Sequence, residues 1–172
     1  HSAGNDTANG GTDGIRGDST EVPNEHDVYS VRGGDGDDEI VVRIEPAATS
    51  GPPQAYVDVY EVATSIYRST RVSLPGIEAA GVRALGGNDK VWVSMGSNAR
   101  LKVDVYGGGG NDTLNAGGDH TKFVDGRPVE PFEDDASFYG EGGNDTLIGG
   151  RGNDSLIGGS GDDSLSGGEG HD

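Results

Sequence analysis

The stretch that decides the fold is GEGGNDTLI GGRGNDSLI GGSGDDSLS GGEGHD, residues 140–172, written with a break at every ninth position. Position one is always Gly, position four is always Gly, and position six is always Asp: Asp145, Asp154, Asp163 and Asp172. Position eight of each complete unit is an aliphatic residue, Leu147, Leu156 or Leu165. The same template fits GGGGNDTLN (107–115), with Asp112 and Leu114, and GGDGDDEIV (33–41), with Asp38 and Ile40. A degraded copy, ALGGNDKVW (84–92), keeps Gly87, Asp89 and Val91.

A unit of this kind divides into a turn and a strand. Glycines lack Cβ and adopt positive φ angles, so six residues wrap tightly and turn their carbonyls toward a common point. An Asp at the end of the turn adds negative charge to that ring of oxygens. A flexible, all-oxygen donor set suits Ca²⁺ better than Mg²⁺, which demands stricter octahedral geometry and keeps its waters. The remaining three residues, TLI or SLS, form a short strand with one apolar side chain facing inward. One Leu cannot bury a unit by itself, so units must stack.

The composition agrees. Of 172 residues only 31% are hydrophobic and 33 are Gly, while 30 Asp and Glu against 12 Lys and Arg leave a net charge of −18. Chains this acidic and this poor in apolar residues lack the buried surface to offset chain entropy unless something neutralises the charge. The sign favours cations as partners and excludes nucleic-acid backbones. No apolar run is long enough to insert in a membrane, so no membrane insertion is expected. With no Cys, disulfides and thiolate metal sites are excluded.

Gly-Gly-x-Gly-x-Asp-x-aliphatic-x resembles the repeats-in-toxin (RTX) calcium-binding nonapeptide. The resemblance implies an all-β, right-handed parallel β-solenoid in which two nonapeptides complete one coil and several calcium ions sit between turns of neighbouring coils. On that basis Asp145 pairs with the Asp163 turn, and Asp154 with the Asp172 turn. The implied side-chain ligands are Asp145, Asp154, Asp163, Asp172 and Asp112, then Asp38 and Asp89. Carbonyls are implied from Gly140, Gly142, Gly149, Gly152, Gly158, Gly161, Gly167, Gly107 and Gly110.

Three regions follow. Residues 107–172 are expected to be the calcium roll, with 116–139 looped out: that segment holds Pro128, Pro131 and an acidic cluster at Glu130, Glu133, Asp134 and Asp135. If it replaces a single half-coil, Asp112 still stacks on Asp145. Residues 25–106 carry alternating stretches such as KVWVSM and ARLKVDVY, together with EIVVRI, AYVDVYEV and TRVSL, and no helical period. They read as longer, metal-poor coils of the same solenoid, with a small β-sandwich as the competing arrangement. They also resemble, more loosely, segments that precede RTX repeats in large bacterial surface proteins. Residues 1–24 echo the turn chemistry without its aliphatic and are expected to be irregular, or to complete a neighbour's coil.

No catalytic constellation stands out. His1, His26, His120 and His171 lack zinc-site spacing, and Ser160 lies in a repeat turn rather than a nucleophile elbow. Trp92, Tyr56, Tyr60 and Tyr106 fall where strands present outward faces; they leave room for a carbohydrate or cell-surface partner, with packing under a loop as the plainer role. The expected protein is extracellular, calcium-binding, non-enzymatic and structural, with head-to-tail self-association of its uncapped coils. The alternative is a non-catalytic secretion or stabilising module of a larger secreted enzyme or toxin.

Overall fold

The computed structural model describes residues 27–45, 54–61, 66–73, 77–95, 102–124 and 126–172; segment 1–24 lies outside them. Every regular element among the described residues is a strand. One parallel stack runs in the order β1 (Asp27–Arg32), β5 (Ile77–Gly86), β7 (Lys102–Gly109), β11 (Ala136–Gly142), β13 (Ser155–Ser160). The facing stack is β2 (Asp38–Glu45), β6 (Lys90–Met95), β8 (Thr113–Asn115), β12 (Thr146–Ile148), β14 (Ser164–Ser166), also parallel. The chain alternates between the stacks, so consecutive crossings are coils of one parallel β-roll.

Residues 27–45 and 77–95 share both stacks with the repeats and are coils of that roll rather than a separate sandwich. The expectation of longer parallel coils fails for AYVDVYEV and TRVSL. They form β3 (Gln54–Glu61) and β4 (Ile66–Ser73), antiparallel strands added beyond β2. Short connections allow this, because antiparallel neighbours need only a hairpin whereas a parallel return needs a crossover.

The nine-residue period sets the core. Leu114, Leu147 and Leu165 are in register across the second stack, and Val105, Phe138 and Leu156 across the first. Ile40, Val91, Leu114 and Leu147 are fully buried. Each such side chain contributes about 1.5–3 kcal/mol on burial, so stacking supplies what one unit lacks. Leu165, on the last coil, is 48% exposed.

The excursion is smaller than the expected 116–139. Ala116 N–H donates to Ile148 O at 2.7 Å, Phe132 N–H to Ala116 O at 2.8 Å, and Arg151 N–H to Phe132 O at 2.8 Å. Only residues 117–131 leave the coil, and β11 is an ordinary strand of the roll. The excursion contains a hairpin, β9 (Asp119–Val124) and β10 (Arg127–Val129). It covers an apolar strip on the outside of β2 and β6, where Val41, Trp92 and Val129 form a second small core. Lys122 Nζ lies 4.8 Å from the Trp92 ring centroid and 2.9 Å from a Glu39 carboxylate oxygen, and Ser94 donates to Glu130 O at 2.8 Å. Trp92 is therefore 5% exposed and not an outward-facing docking residue. Tyr106 stacks on Tyr139 at 4.7 Å and under Arg83 at 4.5 Å. The side chains of Tyr56 and Tyr60 lie outside the described set.

Candidate metal centre

The turns that lead from the first stack to the second form one edge of the roll, and their position-six Asp residues form a ladder. Asp38 N–H donates to Asp89 Oδ1, Asp89 N–H to Asp112 Oδ1, and Asp112 N–H to Asp145 Oδ1, each at 2.8 Å; Asp145 N–H donates to Asp163 Oδ1 at 2.9 Å. Each carboxylate thus spans the gap to the preceding coil with one oxygen. Beside it runs a rung of side-chain amides and carboxylates at position five, in which Asn111 N–H donates to Asn88 Oδ1 and Asn144 N–H to Asn111 Oδ1.

Glycine lets the carbonyls crowd the same gaps. The position-four carbonyls of Gly87, Gly110 and Gly143 occupy the space where a Cβ would stand on Gly110, Gly143 and Gly161 of the next coil. The position-two carbonyls of Leu85 and Glu141 do the same toward Gly108 and Gly159. From the opposite side, the position-one carbonyls of Gly140 and Gly158 face Gly107 and Gly140. Gly110 and Gly143 hold φ of 129° and 128°, a region closed to most L side chains. The gaps between the Asp112, Asp145 and Asp163 turns are therefore walled by carbonyl oxygens from two coils and by a carboxylate.

Those oxygens are incompletely satisfied by the protein. Oδ2 of Asp89, Asp112 and Asp145 is buried with no hydrogen-bond partner among the described residues, and the three residues are 1%, 2% and 1% exposed. A buried carboxylate without a partner is costly unless a cation compensates it. Burial is the main cause that pushes Asp89 up to about 7 and Asp112 up to about 6, opposed by backbone N–H donors and reinforced by neighbouring carboxylates. Asp145 and Asp154 are raised for the same first reason. Among the described residues no three His, Cys, Asp or Glu side chains converge, because each turn supplies one position-six acid and the other donors are backbone oxygens. Hard oxygens, unspent carboxylate charge and a glycine cradle fit Ca²⁺.

The opposite edge repeats the arrangement in the last coils. Asp154 N–H donates to Asp172 Oδ1 at 2.9 Å, and the Gly150 and Gly152 carbonyls face Gly168 and Gly170. Asp145 is thus brought against the Asp163 turn and Asp154 against the Asp172 turn. A turn that the sequence does not announce precedes them: Phe132, Glu133, Asp134, Asp135 and Ala136. Its Phe132 and Asp134 carbonyls face Gly150 and Gly152, Asn153 N–H donates to Asp135 Oδ1 at 2.7 Å, and Ala136 N–H to Asp154 Oδ1 at 2.9 Å. It follows the repeat path with no Gly and with Ala136 at the Asp position. Its only sequence signal is the spacing of eighteen from Ala136 to Asp154 and from Phe138 to Leu156.

Parallel coils, an acidic ladder and glycine-lined carbonyl gaps define a metal-binding β-roll. Residues 104–121 and 139–172 match the family model of the RTX calcium-binding nonapeptide repeat, in four copies, and the chain carries that repeat. No curated protein and no solved structure matches the chain.

Proposed function

We propose that this chain is a secreted, extracellular structural module whose folding is driven by calcium. The observation that supports it most is that three successive Asp carboxylates of the ladder, Asp89, Asp112 and Asp145, are buried with one oxygen that no donor among the described residues reaches. In the absence of metal the acidic column repels itself, adding to a net charge of −18. Asp112, Asp145, Asp154, Asp163 and Asp172 hold the ions by their carboxylates, and Gly107, Gly110, Gly140, Gly142, Gly149, Gly152, Gly158, Gly161 and Gly167 by their carbonyls. Extracellular Ca²⁺, on the order of millimolar and matched to weak extracellular sites, neutralises the column; binding and folding are then one equilibrium.

The proposed role is non-catalytic, in keeping with what RTX repeats typically do. No helix among the described residues is long and apolar enough to cross a membrane. Head-to-tail contact between copies belongs to the same proposal.

Far-ultraviolet circular dichroism with calcium and with a chelator tests the folding claim. Strand content that appears only with calcium supports it, and an apo chain with the same strand content overturns it. Sedimentation in calcium over a range of protein concentrations tests self-association, which a monomer at every concentration rules out.

A further inference from the structure

We infer that the ion column does not stop at the recognised repeats but continues through two more gaps, between the Asp112 and Asp89 turns and between the Asp89 and Asp38 turns. The inference rests on the calcium reading of the repeats and extends it to coils outside the family match, which ends at residue 104. It makes the upstream coils part of the metal-binding body rather than a metal-poor platform.

The gap between the Asp89 and Asp112 turns has the same upstream wall as those inside the repeats. Leu85 and Gly87 carbonyls face Gly108 and Gly110, Asp89 N–H takes Asp112 Oδ1, and Asp112 Oδ2 is buried without a partner. Position two here is Leu85, held at φ 89° where other turns place Gly108 or Gly159. A non-glycine residue in that region is strained, yet its carbonyl still points into the gap.

The next gap repeats the pattern. The Ala84 carbonyl lies 2.8 Å from where a Cβ would stand on Gly33, and the Gly36 carbonyl 2.7 Å from the same point on Gly87. Asp38 N–H occupies Asp89 Oδ1, while Asp89 Oδ2 is buried with no hydrogen-bond partner. That oxygen is the independent sign of a ligand: Asp89 is 1% exposed, and nothing among the described residues donates to its second oxygen. A divalent cation of the calcium class satisfies it, since the groups shown at its sides are the Ala84 and Gly36 carbonyls, hard oxygen donors.

The test counts calcium on the full-length chain by native mass spectrometry, for the wild type, Asp89→Asn and Asp145→Asn, with circular dichroism confirming the fold of each. Asp89→Asn is expected to bind one ion fewer than wild type, as Asp145→Asn does. A folded Asp89→Asn with the wild-type count overturns the inference. Should that variant not fold, anomalous difference maps from wild-type crystals grown in calcium decide: peaks in both upstream gaps support it, and peaks confined to the turns of 107–172 overturn it. A wild-type chain that binds no calcium anywhere fails the repeat reading itself, a separate result.

Discussion

Asp112 and Asp145 stand thirty-three positions apart in sequence and on adjacent rungs in space, with Asp112 N–H donating to Asp145 Oδ1 at 2.8 Å. An ordinary coil is eighteen residues, so the surplus is the fifteen-residue excursion 117–131, which enters after Ala116 and leaves at Phe132. The ladder passes the insertion without a break because the insertion lies on the opposite edge.

Asp145→Asn removes charge from a gap in which one carboxylate oxygen already lacks a protein partner. In calcium it is expected to lower stability by on the order of 3 kcal/mol, the scale of breaking a buried charge pair. Asp162→Asn, one exposed rung outward, is expected to stay within about 0.5 kcal/mol. Thermal melts in calcium compare the two, and equal melting points would contradict the ladder's role.

In calcium-free solution the fold is expected to favour acid. Burial first raises Asp89 from 3.8 to about 7 and Asp112 to about 6, so the folded chain holds these protons more tightly than the unfolded one. Their protonation stabilises the fold fully below pH 3.8 and ceases to do so as pH rises through 6 and 7. Strand content with chelator should therefore be greater at pH 5 than at pH 8; a flat or opposite profile would count against buried carboxyls as the cause of apo instability.

Gly110→Ala places a methyl group on the Gly87 carbonyl and forces Ala to φ 129°. It is expected to cost at least about 1–3 kcal/mol from backbone strain alone. Gly109→Ala, with nothing within 4 Å of its Cβ position, is expected to be nearly neutral. Chemical denaturation in calcium separates them.

Phe132 is fully buried in the main core at the turn where the excursion rejoins the coil. Phe132→Ala is expected to cost about 3–5 kcal/mol. Phe123→Ala, at a side chain 60% exposed on β9, should change stability by no more than about 0.5 kcal/mol. Urea unfolding with calcium present measures both; a mild Phe132→Ala would mean that residues 132–136 are not a coil turn.

The readable part of this protein is whatever nine neighbouring residues encode. Gly at positions one and four, Asp at six and an aliphatic at eight are local requirements of a turn and a strand, and they announced the strands and the oxygen-rich turns, while the parallel roll was implied by their resemblance to the RTX nonapeptide. The stacking of Asp112 on Asp145 was also within reach, from residue spacing.

Other features depend on what each segment meets. Nothing in FEDDA marks a repeat turn, yet backbone hydrogen bonds from the neighbouring coil hold it on the repeat path and place Ala136 where an Asp would be. The segments of β3 and β4 alternate as coil strands do, and the free edge of β2 together with the short connections placed them beside it as antiparallel strands. Trp92 alternates outward, and only the hairpin folded over it made it a second core. Local chemistry wrote the turns, whereas the pairing between coils, a matter of hydrogen bonds and volumes contributed by residues far apart in sequence, chose which turn lies on which.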